Sequence, residues 1–309
     1  MGLIEASFQA VTDAIPVGAF SRAGRRSVLR RLWWHSFELL QPRGRLRVPV
    51  GRCRLWVDTA DAMIGRNLMK HGVFEPRETA IIRALLHPGD VFVDCGANLG
   101  YYSFAAAEVL DRRGLVHAFE PVPANCELFA ASIADNRLED VIKLHREALG
   151  DRSGEAEIYL DRGNAGAHSF RRANVESEAG SLRVPLRRMD DALAGSRIDV
   201  VKIDTQGSER SILAGGEGLI RKYLPVIVTE WWPWGAGDDG GPKAIASMLA
   251  GWGYAAALDS GDAGKPLEII SWEELLRRYK RADRTIAPII ICTARRSFHD
   301  ILPAFFPAR

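Results

Sequence analysis

The sequence predicts a doubly wound α/β fold built on a mostly parallel sheet. From residue 80 onward, short apolar segments such as DVFVDCG, LVHAFE and DVVKID alternate with helical segments such as YYSFAAAEVL and NCELFAASIADN. Strands covered on both faces give short continuous apolar runs, and the helices between them form the crossovers of a parallel sheet. The last strands, YAAALD and APIIICTA, lie closer to a hairpin arrangement, which predicts an antiparallel final strand.

Length and composition fit one large domain with an extension. The chain has 309 residues, 47% of them hydrophobic, and a net charge of +2, so nothing global indicates a nucleic-acid partner. The four cysteines are scattered without a CxxC pair, which favours reduced thiols in a cytoplasmic protein over zinc or disulfides. They are Cys53, Cys95, Cys126 and Cys292. Neither a signal-peptide pattern nor an apolar run of about 18 residues is present.

Residues 1–75 differ in sequence pattern from the rest of the chain. They are predicted to form an N-terminal extension to a main domain at 76–309. The segment RRSVLRRLWWHSFELL has apolar residues at helical spacing and arginines near its start, which predicts a basic amphipathic helix within 25–40. Such a helix either packs on its own domain or makes a weak contact with a membrane surface or a partner protein. The following GRLRVPVGRCRLWVDT alternates as a β-hairpin does.

A glycine-rich turn follows the first strand of the main domain. In VFVDCGANLGYYSF, Asp94 sits at the strand tip, Gly96 and Gly100 bracket the turn, and Ala97 and Asn98 lie inside it. The dinucleotide fingerprint G-x-G-x-x-G is absent, and an aspartate before the first glycine disfavours a diphosphate. This arrangement suits a ligand with a cationic amino group, such as the methionine end of S-adenosylmethionine, although a purely structural turn gives the same pattern.

The next two strands end in further polar positions. Glu120 and Pro121 close the second strand, where a carboxylate can accept both hydroxyls of a ribose. Glu147 and Ala148 follow the third strand, where an adenine edge would lie, but Glu147 fits a solvated strand end equally well. The segments EAEIYL and LRVPLRRM then predict a strand pair inserted near the sheet.

The strand DVVKID brings a second polar group to the same edge of the sheet. Asp204 ends this strand and is the first candidate for a general base or substrate orienter, because adjacent parallel strands deliver their tips to one place. Lys202 is a catalytic candidate that could instead pair with an acid inside the fold. Thr205 or Asp204 could merely cap the next helix, and Glu209 could serve the dipole of that helix.

Other candidates surround the predicted acceptor side. His168 lies in the small-residue loop DRGNAGAHSF and is a second candidate base, although a lone loop histidine is often a bystander. Glu230 closes the strand VIVTE and is followed by Trp231, Trp232 and Trp234. Aromatic rings beside a carboxylate can form a wall for a carbohydrate substrate, or they can simply pack in the core.

Four ordered segments resemble the FkbM family of S-adenosylmethionine-dependent methyltransferases. They are VFVDCGANLGYYS, VHAFEPVPANCELF, REALGDRSGEAEIYL, and IDVVKIDTQGSERSILAGG followed by PVIVTE. With GVFEPRE ahead of the first strand, the resemblance runs from about residue 72 to 230. It implies a Rossmann-like class I methyltransferase sheet, S-adenosylmethionine as cofactor, and O-methylation of a hydroxyl on a sugar, a glycan or a glycosylated polyketide-like product.

The resemblance also carries residue roles. It places the cofactor loop at Asp94, Gly96, Asn98 and Gly100, the ribose contact at Glu120 with Asn125 after it, and the second motif at Lys202, Asp204, Gly207 and Glu209. Gln206 departs from the family pattern, which usually has Glu there. A carboxamide is neither a useful base nor a strong ligand for a hard cation, and no ligand spacing here demands a metal.

Two other interpretations of function stay open at this point. A non-catalytic cofactor-binding or scaffold protein would tolerate glutamine at position 206, and an N-methyltransferase of a small molecule would use the same cofactor site. A dehydrogenase is disfavoured by the glycine spacing of the turn.

Overall fold

The structure is a computed structural model, and it describes residues 2–15, 28–232, 241–262, 264–279 and 288–306. The arginines at positions 25 and 26 of the predicted basic helix and the tryptophan at 234 lie outside these ranges. Within them, no helix combines the length and the apolar character needed to cross a bilayer.

The N-terminal extension contains three helices and a hairpin. They are α1 (Leu3–Ala14), α2 (Val28–Leu40), β1 (Arg45–Val50), β2 (Cys53–Asp58) and α3 (Ile64–His71). The predicted amphipathic helix and hairpin are therefore confirmed, with β1 antiparallel to β2. Helices α1 and α3 were not among the predicted elements.

One face of α2 packs on the rest of the protein. Trp33, Trp34 and Phe37 are buried, and Phe8 of α1 contacts Trp33 and Phe37. Leu29 and several other apolar residues of α1 and α2 remain exposed. Packing of this helix on its own protein is thus observed, while its contact with a membrane surface or partner stays a prediction.

The remaining elements follow the predicted alternation. The helices are α4 (Pro76–Leu85), α5 (Tyr101–Leu110), α6 (Pro123–Asn136), α7 (Met189–Ala192), α8 (Glu209–Gly215), α9 (Glu217–Tyr223), α10 (Gly241–Gly251), α11 (Trp272–Tyr279) and α12 (Phe298–Ile301). The strands are β3 (Val91–Cys95), β4 (Leu115–Phe119), β5 (Ile142–His145), β6 (Ala148–Leu149), β7 (Gly154–Asp161), β8 (Glu178–Arg187), β9 (Val200–Ile203), β10 (Val226–Glu230), β11 (Ala255–Asp259), β12 (Glu268–Ile270) and β13 (Ile289–Thr293).

The central sheet has eight strands in the order β12-β11-β13-β10-β9-β3-β4-β5. Strands β10, β9, β3, β4 and β5 pair in parallel, and β13 lies antiparallel between β10 and β11. This confirms the predicted mostly parallel, doubly wound α/β sheet with an antiparallel last strand. The short edge strand β12 was not predicted.

The order of the strands in the sheet reverses between β3 and β9, because β4 and β5 lie on one side of β3, whereas β9 and β10 lie on the other. This reversal determines where the site lies. Asp94 of β3 and Lys202 of β9 are paired in register, so the two strand tips emerge side by side at the carboxyl edge. A crevice at such a switch point is where open α/β sheets bind ligands. The site predicted from the two strand tips therefore has the required topology.

Two predicted elements are divided. The segment VIKLHREAL forms β5 in the main sheet and β6 in a separate three-stranded sheet with β8 and β7. The segment ERSILAGGEGLIRKYL forms α8 and α9, which meet at Gly216. A Cβ on Gly215 would lie 1.8 Å from the carbonyl oxygen of Gly150, so the glycine pair allows a close backbone approach there. The predicted strand pair near the sheet is β7 and β8.

Extension and sheet share one hydrophobic core. A single cluster of buried side chains joins Trp33 of α2 and Leu55 of β2 to Phe92 of β3 and Phe129 of α6. A second cluster covers the other face of the sheet. The four cysteines are buried free thiols.

Candidate active site

The glycine-rich turn after β3 is fixed by backbone contacts. Gly96 and Ala97 donate their N–H groups to the carbonyl of Phe119 at 3.1 and 2.9 Å. Gly96 has φ of +81°, and a Cβ there would lie 2.1 Å from the carbonyl oxygen of Asp204. Gly100 has φ of +82°, and its Cβ would overlap the ring of Phe129. Glycine is required at both positions because the backbone is left-handed and neighbouring atoms leave no room for a Cβ.

Asp94 lies at the tip of β3 and is only 1% exposed. One carboxylate oxygen, Oδ2, accepts a 2.7 Å hydrogen bond from Ser103, while the other has no hydrogen-bond partner among the described residues. Burial raises the pKa of Asp94. A buried acceptor without a donor is unfavourable, so this oxygen fits the ammonium of an amino-acid ligand.

Glu120 lies at the tip of β4 and is held on both oxygens. It accepts hydrogen bonds from the backbone N–H groups of Asn98 and Val122, both at 2.9 Å, and from Nδ2 of Asn125 at 3.2 Å. Burial raises its pKa to about 7. Asn125 therefore orients Glu120 from behind. A carboxylate held in this way fits the paired hydroxyls of a ribose.

The two strand tips open into one cavity with about 680 Å³ of empty space, part of it open to solvent. Predicted cofactor residues and the acceptor-side candidates Asp204 and His168 line it together. The cofactor-side lining consists of Gly96, Asn98, Glu120, Pro121 and Ala148, with Phe119 and Leu149 beside them. This is the polar and apolar mixture that a nucleoside-containing ligand needs.

Asp204 is held between two donors at the tip of β9. Nζ of Lys202 lies 3.0 Å from Oδ2, and Nε2 of Gln206 lies 3.2 Å from Oδ1. Lys202 is 1% exposed and is not among the residues that line the cavity. Burial alone lowers the pKa of Lys202, but the charges of Asp204 and Glu78 outweigh it and raise the pKa. Lys202 is thus a buried, protonated amine that positions Asp204. A protonated amine cannot accept a proton, so Lys202 does not act as a base.

A group of residues near Lys202 was not predicted from the sequence. Nζ of Lys202 lies 3.9 Å from Glu78 and 4.3 Å from the ring centroid of Tyr102, whose hydroxyl donates to Glu75 at 2.5 Å. Burial is the main cause that raises the pKa of both glutamates. Glu75 has φ of +40°, a strained value for a non-glycine residue. Such strain often accompanies a functional site, but it is visible only in the structure and not in the sequence.

Glu230 at the tip of β10 joins the same site through Gln206. Nε2 of Gln206 donates to Oε2 of Glu230 at 3.1 Å as well as to Asp204. Burial and the charge of Asp204 raise the pKa of Glu230 to about 9. Gln206, the departure from the family pattern, is therefore a bridge between two carboxyl groups.

His168 lines the cavity, but its hydrogen bond does not favour a base. Its Nδ1 accepts from the backbone N–H of Asp161 at 3.0 Å, and burial lowers its pKa. A neutral imidazole that accepts at Nδ1 carries its proton on Nε2, so it offers a donor to the cavity. Glu209 is likewise committed: it accepts from the N–H groups of Thr205 and Gly207 and braces the turn before α8.

Several predicted site residues are not among those that line the cavity: Asp94, Ala97, Gly100, Asn125, Glu147, Lys202, Glu230, Trp231 and Trp232. Glu147 is half-buried and lies 3.8 Å from His145 and 3.7 Å from Arg187, outside the cavity lining, as a strand-end residue would. Trp231 is 1% exposed and belongs to the second core cluster, so this ring cannot stack on a substrate in this structure. The predicted wall is wrong for Trp231, because its ring packs inward. Trp232 is half-buried and is not among the cavity-lining residues.

Known proteins resemble this chain over large parts of its length. The family model described as the methyltransferase FkbM domain matches residues 94–255, just over half of the chain. The 31-O-demethyl-FK506 methyltransferase FkbM of Streptomyces tacrolimicus is 25% identical over 248 residues, which cover 68% of this chain and 88% of that protein. The AMB antimetabolite synthetase AmbE of Pseudomonas aeruginosa is 28% identical over 181 residues, 47% of this chain but 8% of the synthetase.

Solved structures with a similar fold include two methyltransferases. A methyltransferase FkbM from Methylobacillus flagellatus KT has 16% identity and a TM-score of 0.43, covering 67% of this chain and 44% of that one. A SAM-dependent O-methyltransferase from Thermotoga maritima has 12% identity and a TM-score of 0.41, covering 85% and 83%. The match of the family model over the cofactor turn and the acceptor-side strands confirms the resemblance seen in the sequence, and the chain belongs to the FkbM family of S-adenosylmethionine-dependent methyltransferases.

Proposed function

We propose that this protein transfers the methyl group of S-adenosylmethionine to a hydroxyl of a sugar, a glycan or a glycosylated polyketide-like product. The observation that carries the proposal is the shared cavity: Asp204 lines it together with the glycine-rich turn and Glu120. The similarity to a protein named as a 31-O-demethyl-FK506 methyltransferase supports oxygen as the acceptor atom.

The cofactor would be held by three groups of this chain. The unpartnered oxygen of Asp94 receives the ammonium, the turn from Gly96 to Gly100 allows the ligand to approach the backbone, and Glu120 accepts the ribose hydroxyls. When bound, S-adenosylmethionine supplies an electrophilic methyl carbon on a sulfonium.

Asp204 is the proposed proton acceptor. The carboxylate of Asp204 would accept the hydroxyl proton of the acceptor, whose oxygen would take the place of the cofactor sulfur as the bonding partner of the methyl carbon. Lys202 and Gln206 hold this carboxylate by one oxygen each, which fixes its direction toward the cavity. Correct placement of base and nucleophile is the main contribution that a protein makes to such a displacement.

Two measurements test the proposal in sequence. Isothermal titration with S-adenosylmethionine should show binding to the wild type and at least about 10-fold weaker binding to Asp94→Asn, which lacks the charge that faces the ammonium. Absence of binding by folded wild-type protein would refute the cofactor claim.

Transfer of a labelled methyl group is then measured in a screen of hydroxyl-bearing sugars and polyketide glycosides. Asp204→Asn should bind the cofactor within a few-fold of wild type and lose about 100-fold or more in turnover. Transfer to amines with no transfer to hydroxyls would indicate an N-methyltransferase, and binding without any transfer across both acceptor classes would indicate a non-catalytic cofactor-binding protein.

A further inference from the structure

A loop between β7 and β8 covers part of the cavity. We call residues 162–177 the roof loop; Ala165, His168 and Phe170 of this loop line the cavity. The loop is tied to the cofactor turn by a 2.6 Å hydrogen bond from Nδ2 of Asn98 to the carbonyl of Ala165. It is also tied to the extension, because the N–H of Ala62 donates to the carbonyl of Gly163 at 3.0 Å.

The third attachment of the roof loop is the backbone of Gln206. Its carbonyl oxygen accepts from Oγ of Ser169 at 2.8 Å and from Nδ2 of Asn174 at 2.9 Å. Ser169 is 1% exposed. The segment that follows β9 and the roof loop are therefore joined at the backbone carbonyl of Gln206.

The side chain of Gln206 holds that peptide group in place. Gln206 has φ of +54°, which is costly for a residue with a Cβ and needs compensating contacts. Its amide supplies them by donating to Asp204 at 3.2 Å and to Glu230 at 3.1 Å. An ionised carboxylate at this position has no hydrogen to donate, and it would add a negative charge between two carboxyl groups.

We propose that Gln206 is a positioning residue that couples the carboxyl pair Asp204 and Glu230 to the roof loop. Its amide orients Asp204 on one side, and its carbonyl anchors Ser169 and Asn174 on the other. The inference rests on the proposed function for the role of Asp204, whereas the anchoring of the roof loop is independent of it. Glutamine suits this position because it can donate to both acids without adding charge.

Hydrogen exchange without any cofactor tests the anchoring. In Gln206→Ala, amides of the roof loop should exchange about 10-fold faster than in wild type, because the left-handed peptide loses its two side-chain contacts. Ser169→Ala combined with Asn174→Ala should also increase the exchange rate of these amides, because the double variant removes the two donors to the carbonyl of Gln206. Gln41→Ala is the matched control, since Gln41 also has positive φ, +40°, and is exposed far from the cavity.

The pH dependence of cofactor binding tests the charge argument. For Gln206→Glu, the ratio of its Kd for S-adenosylmethionine to that of wild type should rise from about 2 near pH 6 to about 10 or more near pH 8.5, because the new carboxyl group ionises between two acids. The Ser169 and Asn174 double variant and Gln41→Glu should give ratios that do not change with pH.

Unchanged exchange of the roof loop in Gln206→Ala would overturn the anchoring, and a pH-independent ratio in Gln206→Glu would overturn the charge coupling. If folded wild type does not bind S-adenosylmethionine, the proposed function fails, while the exchange experiment still decides the role of Gln206 in the roof loop.

Discussion

The backbone N–H of Asn98 donates a 2.9 Å hydrogen bond to Oε2 of Glu120. This bond joins the turn after β3 to the tip of β4, so the ribose-binding candidate and the glycine-rich turn are oriented by each other. Asn98 has φ of +52°, and its side chain also reaches the roof loop at Ala165. The turn after β3, the tip of β4 and the roof loop are thus held to one another by contacts within the chain, and such mutual support reduces the entropy lost when a ligand binds.

The pKa of Glu120 predicts a pH-dependent affinity for the cofactor. Burial raises this pKa to about 7, and the ionised carboxylate is the form that accepts two ribose hydroxyls. Affinity should therefore increase as the pH rises through 7, with a Kd about 10-fold larger near pH 6 than near pH 8. Isothermal titration across this range measures it, and Glu120→Gln should bind more weakly with little pH dependence. A constant Kd in wild type would contradict the prediction.

The same group predicts the sign of a stability change. Its folded-state pKa, about 7, lies above the unfolded value of 4.5, so the folded state holds the proton more tightly. This contribution to the free energy of unfolding is fully present below the unfolded pKa and is lost as the pH rises to about 7. Urea unfolding should show a smaller loss of stability over this range in Glu120→Gln than in wild type. An equal loss in both proteins would show that other groups govern the change.

Two glycines with nearly the same φ allow the cost of backbone strain to be distinguished from the cost of a steric collision. Gly96 and Gly195 have φ of +81° and +82°, but a Cβ on Gly96 would lie 2.1 Å from a backbone oxygen of Asp204, and one on Gly195 meets nothing within 4 Å. Gly195→Ala should cost about 1 kcal/mol from φ alone. Gly96→Ala should cost more and weaken cofactor binding at least about 10-fold, because β3 and β9 must move apart at their tips. Urea unfolding and titration measure both, and equal effects would refute the argument.

Positions that the backbone dictates locally could be predicted from the sequence. The glycines of the turn, Asp94 at the strand tip and Asp204 on the neighbouring strand follow from short segments whose order fixes the sheet. The same local rules predicted the inserted strand pair and the antiparallel final strand. Each of these depends on contacts between neighbouring segments of a regular sheet.

Features created by distant contacts could not be predicted. Glu78 of α4 and Tyr102 of α5 reach Lys202 from two different helices, and nothing in their own segments reveals this convergence. Trp231 follows the strand tip in the sequence like a substrate-wall residue, yet its ring turns into the core. The sequence identified Gln206 as anomalous, but only the structure reveals the two acids that its amide joins.

Removal of the buried cation should destabilise the protein strongly. Lys202→Met leaves Asp204 and Glu78 without their common partner, and loss of one member of a buried charge cluster costs about 3–5 kcal/mol. Lys222→Met is a matched control, because Lys222 is exposed and also lies over a tyrosine ring, that of Tyr223. Urea unfolding near neutral pH should separate the two variants. A Lys202→Met loss as small as that of the control would contradict a structural role for the ammonium.

The N-terminal extension should unfold together with the central sheet. Arg30 of α2 is 3% exposed and donates from Nη1 to the carbonyl of Leu68 at 2.6 Å and from Nη2 to that of Pro49 at 3.0 Å. Arg30→Met removes one donor from each of these carbonyls and the buried guanidinium that joins α2 to β1 and α3, and it should cost about 2–4 kcal/mol, whereas the exposed neighbour Arg31 can be changed to Met at little cost. Because extension and sheet share one core, Arg30→Met should lower the midpoint of a single cooperative transition. A second, earlier transition confined to residues 1–75, detected by hydrogen exchange, would instead establish the extension as an independent folding unit.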